Sequence, residues 1–230
     1  MKLLIIIPAY NEAQNIKYVV TDLVINYPQY DFIVVNDGSK DETAEICQIN
    51  GYPLLDLPIN LGLSSAFQTG IKYAYRNGYD AAIQFDGDGQ HDPAYIKDMI
   101  FEMEKIGADI VIGSRFKNKK KPLNLRMIGN SMIQAAIRIT TGANVSDSTS
   151  GMRLFNHNIL EEFANKMNYG PEPDTISYLI RNGAKISEVQ VDMNERIAGE
   201  SYLTLARSIK YMLQMFTSII FIQWFRKREV

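Results

Sequence analysis

From residue 2 to about residue 113 the chain alternates short apolar runs with longer stretches whose apolar residues recur every three or four positions. The runs Lys2 to Pro8, Phe32 to Asn36, Leu54 to Leu57, Ala81 to Phe85 and Asp109 to Gly113 predict strands, because they are short, largely aliphatic and bounded by turn residues. The stretches Ala13 to Ile25, Asp41 to Ile49, Leu63 to Arg76 and Pro93 to Ile106 predict helices between them. Near-continuous apolar strands separated by helices predict a parallel sheet covered on both faces. Sheets of that kind bind ligands at the carboxyl ends of their strands. The polar clusters "AYNE", "NDGSKD" and "DGDGQHD" all fall at such ends, so they are expected to converge on one crevice.

After about residue 115 the rhythm changes. The basic segment "KNKKKP" (117–122) predicts a solvated, mobile surface loop, and "LNLRMIGNSMIQAAIRIT" predicts a helix after it. Then come "SDSTSGMRLF", helices around Ile159 and Ile176, a strand in "KISEVQVDM", and a polar, glycine-containing loop "NERIAGESY". The last pattern, Leu203 to Phe225, is helical and carries Arg207 and Lys210. Its uncharged part, Tyr211 to Phe225, is shorter than the roughly 18 residues a membrane span needs. Trp224 followed by Arg226, Lys227 and Arg228 is the pattern of an interfacial helix. A helix packed on the domain or on a second subunit fits the same residues. The chain is therefore expected to divide into a domain over 1–202 and a C-terminal interfacial or dimerisation helix over 203–230.

Composition narrows this reading without redirecting it. With 230 residues, 46% hydrophobic and 22% charged, the chain suits one sizeable globular domain. A net charge of -2 gives no sign of a nucleic-acid-binding surface. The single cysteine, Cys47, excludes an internal disulfide and fits a reducing compartment. "MKLLIIIPAYNE" reads as a buried first strand rather than a signal peptide, since its apolar run is short and meets Pro8 without a small-residue cleavage site.

The most informative chemistry lies in "AAIQFDGDGQHDP" (81–93), where an apolar run ends on Asp86 and Asp88 separated by one glycine. Paired carboxylates at a strand end suit a hard divalent cation, which takes oxygen ligands and helps hold phosphates. An ordinary Asp- and Gly-rich turn is the competing reading. The first turn, "PAYNEAQN", has no glycine, so it cannot bring backbone up to a pyrophosphate as the G-x-G-x-x-G turn does, and the Lys-Ser/Thr phosphate loop is absent. A nucleotide on this sheet would therefore need some other device to neutralise its diphosphate, and a cation on Asp86 and Asp88 would serve.

With these pieces placed, the chain resembles the family 2 glycosyltransferases, and within them the branch similar to dolichyl- or polyprenyl-phosphate mannose synthases. The resemblance runs through "IIIPAYNE", "VVNDGSKDET", "NLGLSSAFQTGI", "QFDGDGQHDP", "IGSRF", "DSTSGMRLF" and "ERIAGES", nearly the whole chain in the family's order. It implies a mostly parallel sheet sandwiched by helices, the glycosyltransferase A-type nucleotide-sugar-binding fold. It implies that Pro8, Ala9, Tyr10 and Glu12 line the nucleotide pocket, with Asp37 near the base or ribose and Gly38 and Ser39 shaping its turn. Asp86, Asp88 and Gln90 would form the site for Mg²⁺ or Mn²⁺ and the diphosphate. Arg196 would reach the donor diphosphate when its loop closes over the site. The family's lysine after the loop serine is replaced here by Tyr202.

The same resemblance places Arg115 and Arg126, with Ser131 one turn beyond, around an acceptor phosphate, for which arginine's planar fork is suited. The implied reaction is an inverting transfer from a UDP- or GDP-sugar to an undecaprenyl or dolichyl phosphate. The alternative acceptor is a hydroxyl of a lipid-linked or cell-surface glycan. That chemistry needs a base, for which Glu172, Asp174 and Asp147 are candidates. Glu172 and Asp174 also read as the acidic start of a helix. A non-catalytic nucleotide-sugar-binding protein would lack the paired aspartates, and a nucleotidyltransferase would need a basic, glycine-rich first loop. The expected setting is the cytoplasmic, inner face of a membrane, with a membrane surface, a second copy or an integral membrane protein as partner.

Overall fold

The computed structural model describes residues 1–122, 125–167, 169–194 and 205–226, with backbone alone at 125–126 and 205–207. The order is β1 (Leu3–Ala9), α1 (Ile16–Asn26), β2 (Asp31–Asn36), α2 (Thr43–Ile49), β3 (Leu54–Asp56), α3 (Leu63–Arg76), β4 (Ala81–Gln84), α4 (Ile96–Ile106), β5 (Ile110–Ser114), α5 (Leu125–Thr141), β6 (Arg153–Asn156), α6 (His157–Asn165), α7 (Pro173–Arg181), β7 (Ile186–Gln190) and α8 (Leu205–Ile220). The strands form a 7-stranded sheet in the order β3-β2-β1-β4-β6-β5-β7. β6 runs antiparallel to both its neighbours, and the other pairings are parallel. Every helix and strand expected before residue 113 is present, within a few residues of the predicted bounds.

Both faces of the sheet are covered, which is why its inner strands are apolar throughout. Leu4, Ile6, Ala82 and Phe155 face one core, with side chains of α3, α5, α6, α7 and α8. Leu3, Ile5, Ile7, Ile83 and Leu154 face the other, with α1 and α4. Val19, Val20 and Leu23 supply the buried stripe of α1 at helical spacing, and Ala66, Phe67, Gly70, Ile71 and Ala74 that of α3. Gly70 permits close approach: a Cβ there would lie 2.3 Å from Ile6 Cγ2.

Two features depart from the sequence reading. The strand β6 was not expected, since "RLFN" is too short to show alternation, yet it occupies the place between β4 and β5. The basic segment 117–122 is pinned rather than free. Lys117 Nζ donates to the Glu188 carbonyl, Lys119 pairs with Asp192, and Lys121 Nζ donates to Asn130 Oδ1 and Gln134 Oε1 at 2.8 Å each. Burial pushes the Lys121 ammonium below its ordinary pKa, with Arg115 acting in the same direction against Asp147 and Glu188.

Helix α8 packs into the domain along α5 and α7, with Ile219 fully buried and Met212, Met215, Phe216 and Ile220 against the core. A Cβ on Gly129 of α5 would lie 2.6 Å from Met212 Cγ, so the glycine lets the two helices touch. Asp174 in the first turn of α7 holds the chain end: it accepts from Ser218 Oγ at 2.6 Å and pairs with Arg226. The expected boundary at residue 202 lies outside the described residues. No described helix is long and apolar enough to cross a membrane.

Candidate active site

The carboxyl ends of β1, β2 and β4 meet, as the polar clusters predicted. The first two turns are laced together. Ser39 Oγ accepts from Asn11 N–H (2.9 Å), Thr43 Oγ1 from Glu12 N–H (2.9 Å), and Asn11 Oδ1 from Lys40 N–H (2.8 Å). Asn11 takes φ 56°, a left-handed conformation that Asn tolerates better than most residues. Gly38 is required by space and by backbone: its φ is +64°, and a Cβ would lie 2.5 Å from the Ile59 carbonyl carbon.

These turns open onto a cavity of about 530 Å³. Pro8, Ala9, Tyr10, Glu12 and Asp37 line it on one side, and Asp86, Asp88, Gln90 and Arg115 on another. Asp37 is buried and accepts from the backbone N–H groups of Leu61 and Gly62, at 2.8 Å each. Its carboxylate thus fixes the loop that enters α3, alongside any contact with a nucleotide.

The Asp86–Asp88 turn is built around His91, to which the sequence analysis gave no role. His91 is buried, stacks edge-on against Phe85 at 5.4 Å, and accepts the Asp86 N–H on Nδ1 at 2.9 Å. With Nδ1 accepting, the ring proton sits on Nε2, 3.5 Å from Asp86 Oδ2. Asp88 Oδ1 accepts the Gln90 N–H at 3.0 Å across Gly89, whose φ is +79°. Gly151 leaves room for the first carboxylate, since a Cβ there would lie 2.8 Å from Asp86 Oδ2.

This donor set fits a hard cation. Among the described residues no group of three or more acidic, histidine or cysteine side chains is gathered as a metal cage. A cation on Asp86 and Asp88 would therefore take its remaining ligands from diphosphate oxygens and water. That is the usual way Mg²⁺ is held at phosphate sites.

Arg115 enters the cavity at the end of β5, with its guanidinium set by Asp147. Nε donates to Oδ2 at 2.7 Å, Nη2 to Oδ1 at 2.9 Å, and the Arg115 N–H to Oδ2 at 3.1 Å. Asp147 is wholly buried and also accepts from Asn130 Nδ2 at 3.1 Å. Glu188 of β7 fixes the same loop by accepting from Ser146 N–H, Ser146 Oγ and Asp147 N–H at 2.9, 2.7 and 3.0 Å. Asp147 thereby acts as the counter-ion that orients Arg115.

The remaining expected residues divide. Arg126 lies in the first turn of α5, and its side chain is outside the described residues, as is all of Arg196 and the loop around it. Ser131 is exposed on α5, donates to the Met127 carbonyl at 2.9 Å, and is not among the cavity-lining residues. Glu172 lines the cavity just before α7, its two oxygens accepting from Ser64 Oγ and Tyr211 Oη. Asp174 lies outside the lining, in its pair with Arg226.

Sequence reasoning missed Ser64, Gln84, Arg153 and Tyr211, which also line the cavity. Packing around the Tyr211 phenol, and next the Glu172 carboxylate, raise its pKa well above the ordinary tyrosine value. Arg153 and Gln84 carried a faint signal, as polar residues inside apolar strands. Tyr211 carried none, because its helix reads as uniformly amphipathic.

A sheet of this order, with paired aspartates after its central strand and a roomy cavity across the strand ends, is the glycosyltransferase A-type arrangement. The glycosyl transferase family 2 model matches residues 4–164, and the chain belongs to that family. It is 32% identical to a UDP-N-acetylglucosamine–dolichyl-phosphate N-acetylglucosaminyltransferase of Methanococcus voltae, across 81% of this chain and 83% of that one. It is 27% identical to a polyprenol monophosphomannose synthase of Mycolicibacterium smegmatis, across 87% and 80%. A solved glucosyl-3-phosphoglycerate synthase of Mycobacterium tuberculosis, in complex with Mn²⁺, UDP and phosphoglyceric acid, superposes with a TM-score of 0.72 at 18% identity, over 96% of this chain and 78% of that one.

Proposed function

We propose that this protein transfers a sugar, with inversion, from a UDP- or GDP-sugar to a polyprenyl phosphate at the inner face of a membrane. The observation that carries this reading is the meeting, in one cavity, of a carboxylate pair suited to a diphosphate-bound cation with an oriented arginine. The relatives named for dolichyl-phosphate and polyprenol acceptors support the same acceptor class.

Pro8, Ala9, Tyr10, Glu12 and Asp37 bind the nucleotide, and Asp86 and Asp88 with Gln90 would hold Mg²⁺ or Mn²⁺ beside the diphosphate. A cation held there would supply neutralisation of the charge that grows on the departing diphosphate. Arg115, held side-on by Asp147, presents its remaining N–H groups to the acceptor phosphate, with Arg126 of α5 as second cation; Ser131, outside the cavity lining, takes no part. Arg196 closes on the donor. An ionised phosphate needs no deprotonation, so this reaction depends on positioning rather than on a base.

The hydroxyl-acceptor alternative requires Glu172 or Asp174 as base, the third candidate, Asp147, being paired with Arg115. It is disfavoured because Glu172 already accepts hydrogens on both oxygens and Asp174 is tied to Arg226 and Ser218. Exposed Ile209, Leu213, Phe221, Trp224 and Phe225 along and after α8, with Ile128 and Met132 on the neighbouring α5, support contact with a lipid surface.

The test is release of nucleoside diphosphate from UDP-glucose, UDP-N-acetylglucosamine and GDP-mannose, with and without short-chain polyprenyl phosphate. Acceptor-dependent release from one donor is expected. Donor hydrolysis alone, or no turnover with any donor, would contradict the proposal.

A further inference from the structure

A row of side chains crosses the sheet beneath the cavity. Ile6 of β1 is in register with Gln84 of β4, Gln84 with Arg153 of β6, and Arg153 with Ile112 of β5. Ile6 and Ile112 belong to the apolar core on that face. The two residues between them are polar, buried and part of the cavity lining. Directly opposed side chains on antiparallel strands stand about 4.5–5.5 Å apart at Cβ, so Gln84 and Arg153 form one polar floor.

Each has one group that the protein leaves unused. Arg153 Nη1 donates to the Pro171 carbonyl and Nη2 to the Ser148 carbonyl at 2.9 Å, while its buried Nε has no hydrogen-bond partner among the described residues. Gln84 Nε2 is 3.4 Å from Asp86 Oδ1, and its Oε1 accepts from no described residue. A buried guanidinium N–H without an acceptor is costly, since it has lost water and gained no partner. The floor therefore carries an unused donor on Arg153 and an acceptor on Gln84, register partners on adjacent strands, two residues from Asp86.

We infer that Arg153 and Gln84 are specificity residues that clasp one hydroxyl of the transferred sugar, which accepts from Arg153 Nε and donates to Gln84 Oε1. A hydroxyl is the group that does both at once. An ionised carboxylate only accepts, so it would leave Gln84 Oε1 without a donor and bring a second negative charge up to Asp86. This inference rests on the nucleotide-sugar reading of the cavity and adds which part of the donor the floor recognises.

The experiment is calorimetric titration, with Mg²⁺, of UDP and GDP and of UDP-glucose, UDP-N-acetylglucosamine and GDP-mannose into wild type, Arg153→Lys and Gln84→Leu. Each variant is expected to bind the accepted sugar nucleotide about tenfold more weakly, with the bare diphosphate unchanged within about twofold. Variants that weaken bare diphosphate equally, or leave both unchanged, overturn the inference while the wider proposal stands. Wild type that binds no nucleoside diphosphate overturns both. If Arg153→Lys does not fold, deoxy-sugar donors on wild type carry the test. One deoxy position must lose the same tenfold, and Gln84→Leu must erase most of that difference; equal binding of every deoxy donor refutes the clasp.

Discussion

Arg115 and Asp147 form a side-on fork, with Nε 2.7 Å from Oδ2 and Nη2 2.9 Å from Oδ1, and the aspartate is wholly buried. A buried carboxylate with that geometry is a positioning device, because it fixes the guanidinium plane and leaves the opposite edge for a ligand. Asp147→Asn keeps the shape and removes the charge. We expect a loss of about 1.5–3 kcal/mol in stability, the usual value of a hydrogen bond to a charged group, read as a lower urea midpoint. We also expect a raised KM for the acceptor with an unaltered donor KM. An asparagine variant with wild-type stability and acceptor KM would remove Asp147 from this role.

Arg115→Ala tests the acceptor contact itself. Losing one charge-assisted bond is expected to cut turnover with polyprenyl phosphate about tenfold to a hundredfold, at about 1.4 kcal/mol per tenfold. Donor affinity should change little. Glu172→Gln should cost less than this, since its carboxylate ties Ser64 and Tyr211 rather than taking a proton. A dead Glu172→Gln beside a normal Arg115→Ala would transfer the reaction to a hydroxyl acceptor.

How far the sequence led depends on how local each signal was. Strands such as Leu3–Ala9 and helices such as Leu63–Arg76 announced themselves through continuous apolar runs and helical spacing. Asp86 and Asp88 stood out as carboxylates one residue apart at a strand end, and both line the cavity. Arg153 gave only the faint signal of a charge in an apolar strand, because its pairing with Gln84, 69 positions away in the chain, is a register no local pattern carries. Lys121 looked like one more solvated lysine in a basic run. Its hydrogen bonds to Asn130 and Gln134 make it a half-buried cation instead. Asp174 looked catalytic from its neighbours in sequence and is bound to Arg226 in space.

The metal proposal predicts that Asp88→Ala abolishes transfer and that EDTA does the same to wild type, with Mg²⁺ or Mn²⁺ restoring the latter. Far-ultraviolet circular dichroism should show the variant folded. Undiminished turnover after thorough chelation would remove the cation from the account.

Membrane contact is best tested by surface substitution, since removing α8 would also take Tyr211, Met212 and Ile219 out of the cavity wall and core. Phe221→Ser combined with Phe225→Ser changes side chains that are 62% and 83% exposed. If these rings enter a lipid interface, each contributes up to about 3 kcal/mol when fully buried. Sedimentation with anionic vesicles should then fall sharply while nucleotide binding stays intact. Equal sedimentation of wild type and the double variant would assign this surface to another partner.

The central claim is that the acceptor group is a phosphate. The most direct measurement is incorporation of radiolabelled sugar into the organic phase with a short-chain polyprenyl phosphate, compared with the corresponding polyprenol, in the presence of Mg²⁺ or Mn²⁺. The account predicts labelled lipid from the phosphate alone, released as free sugar by mild acid. Equal labelling of the polyprenol, or label found only in a glycan carrying a free hydroxyl, would contradict it.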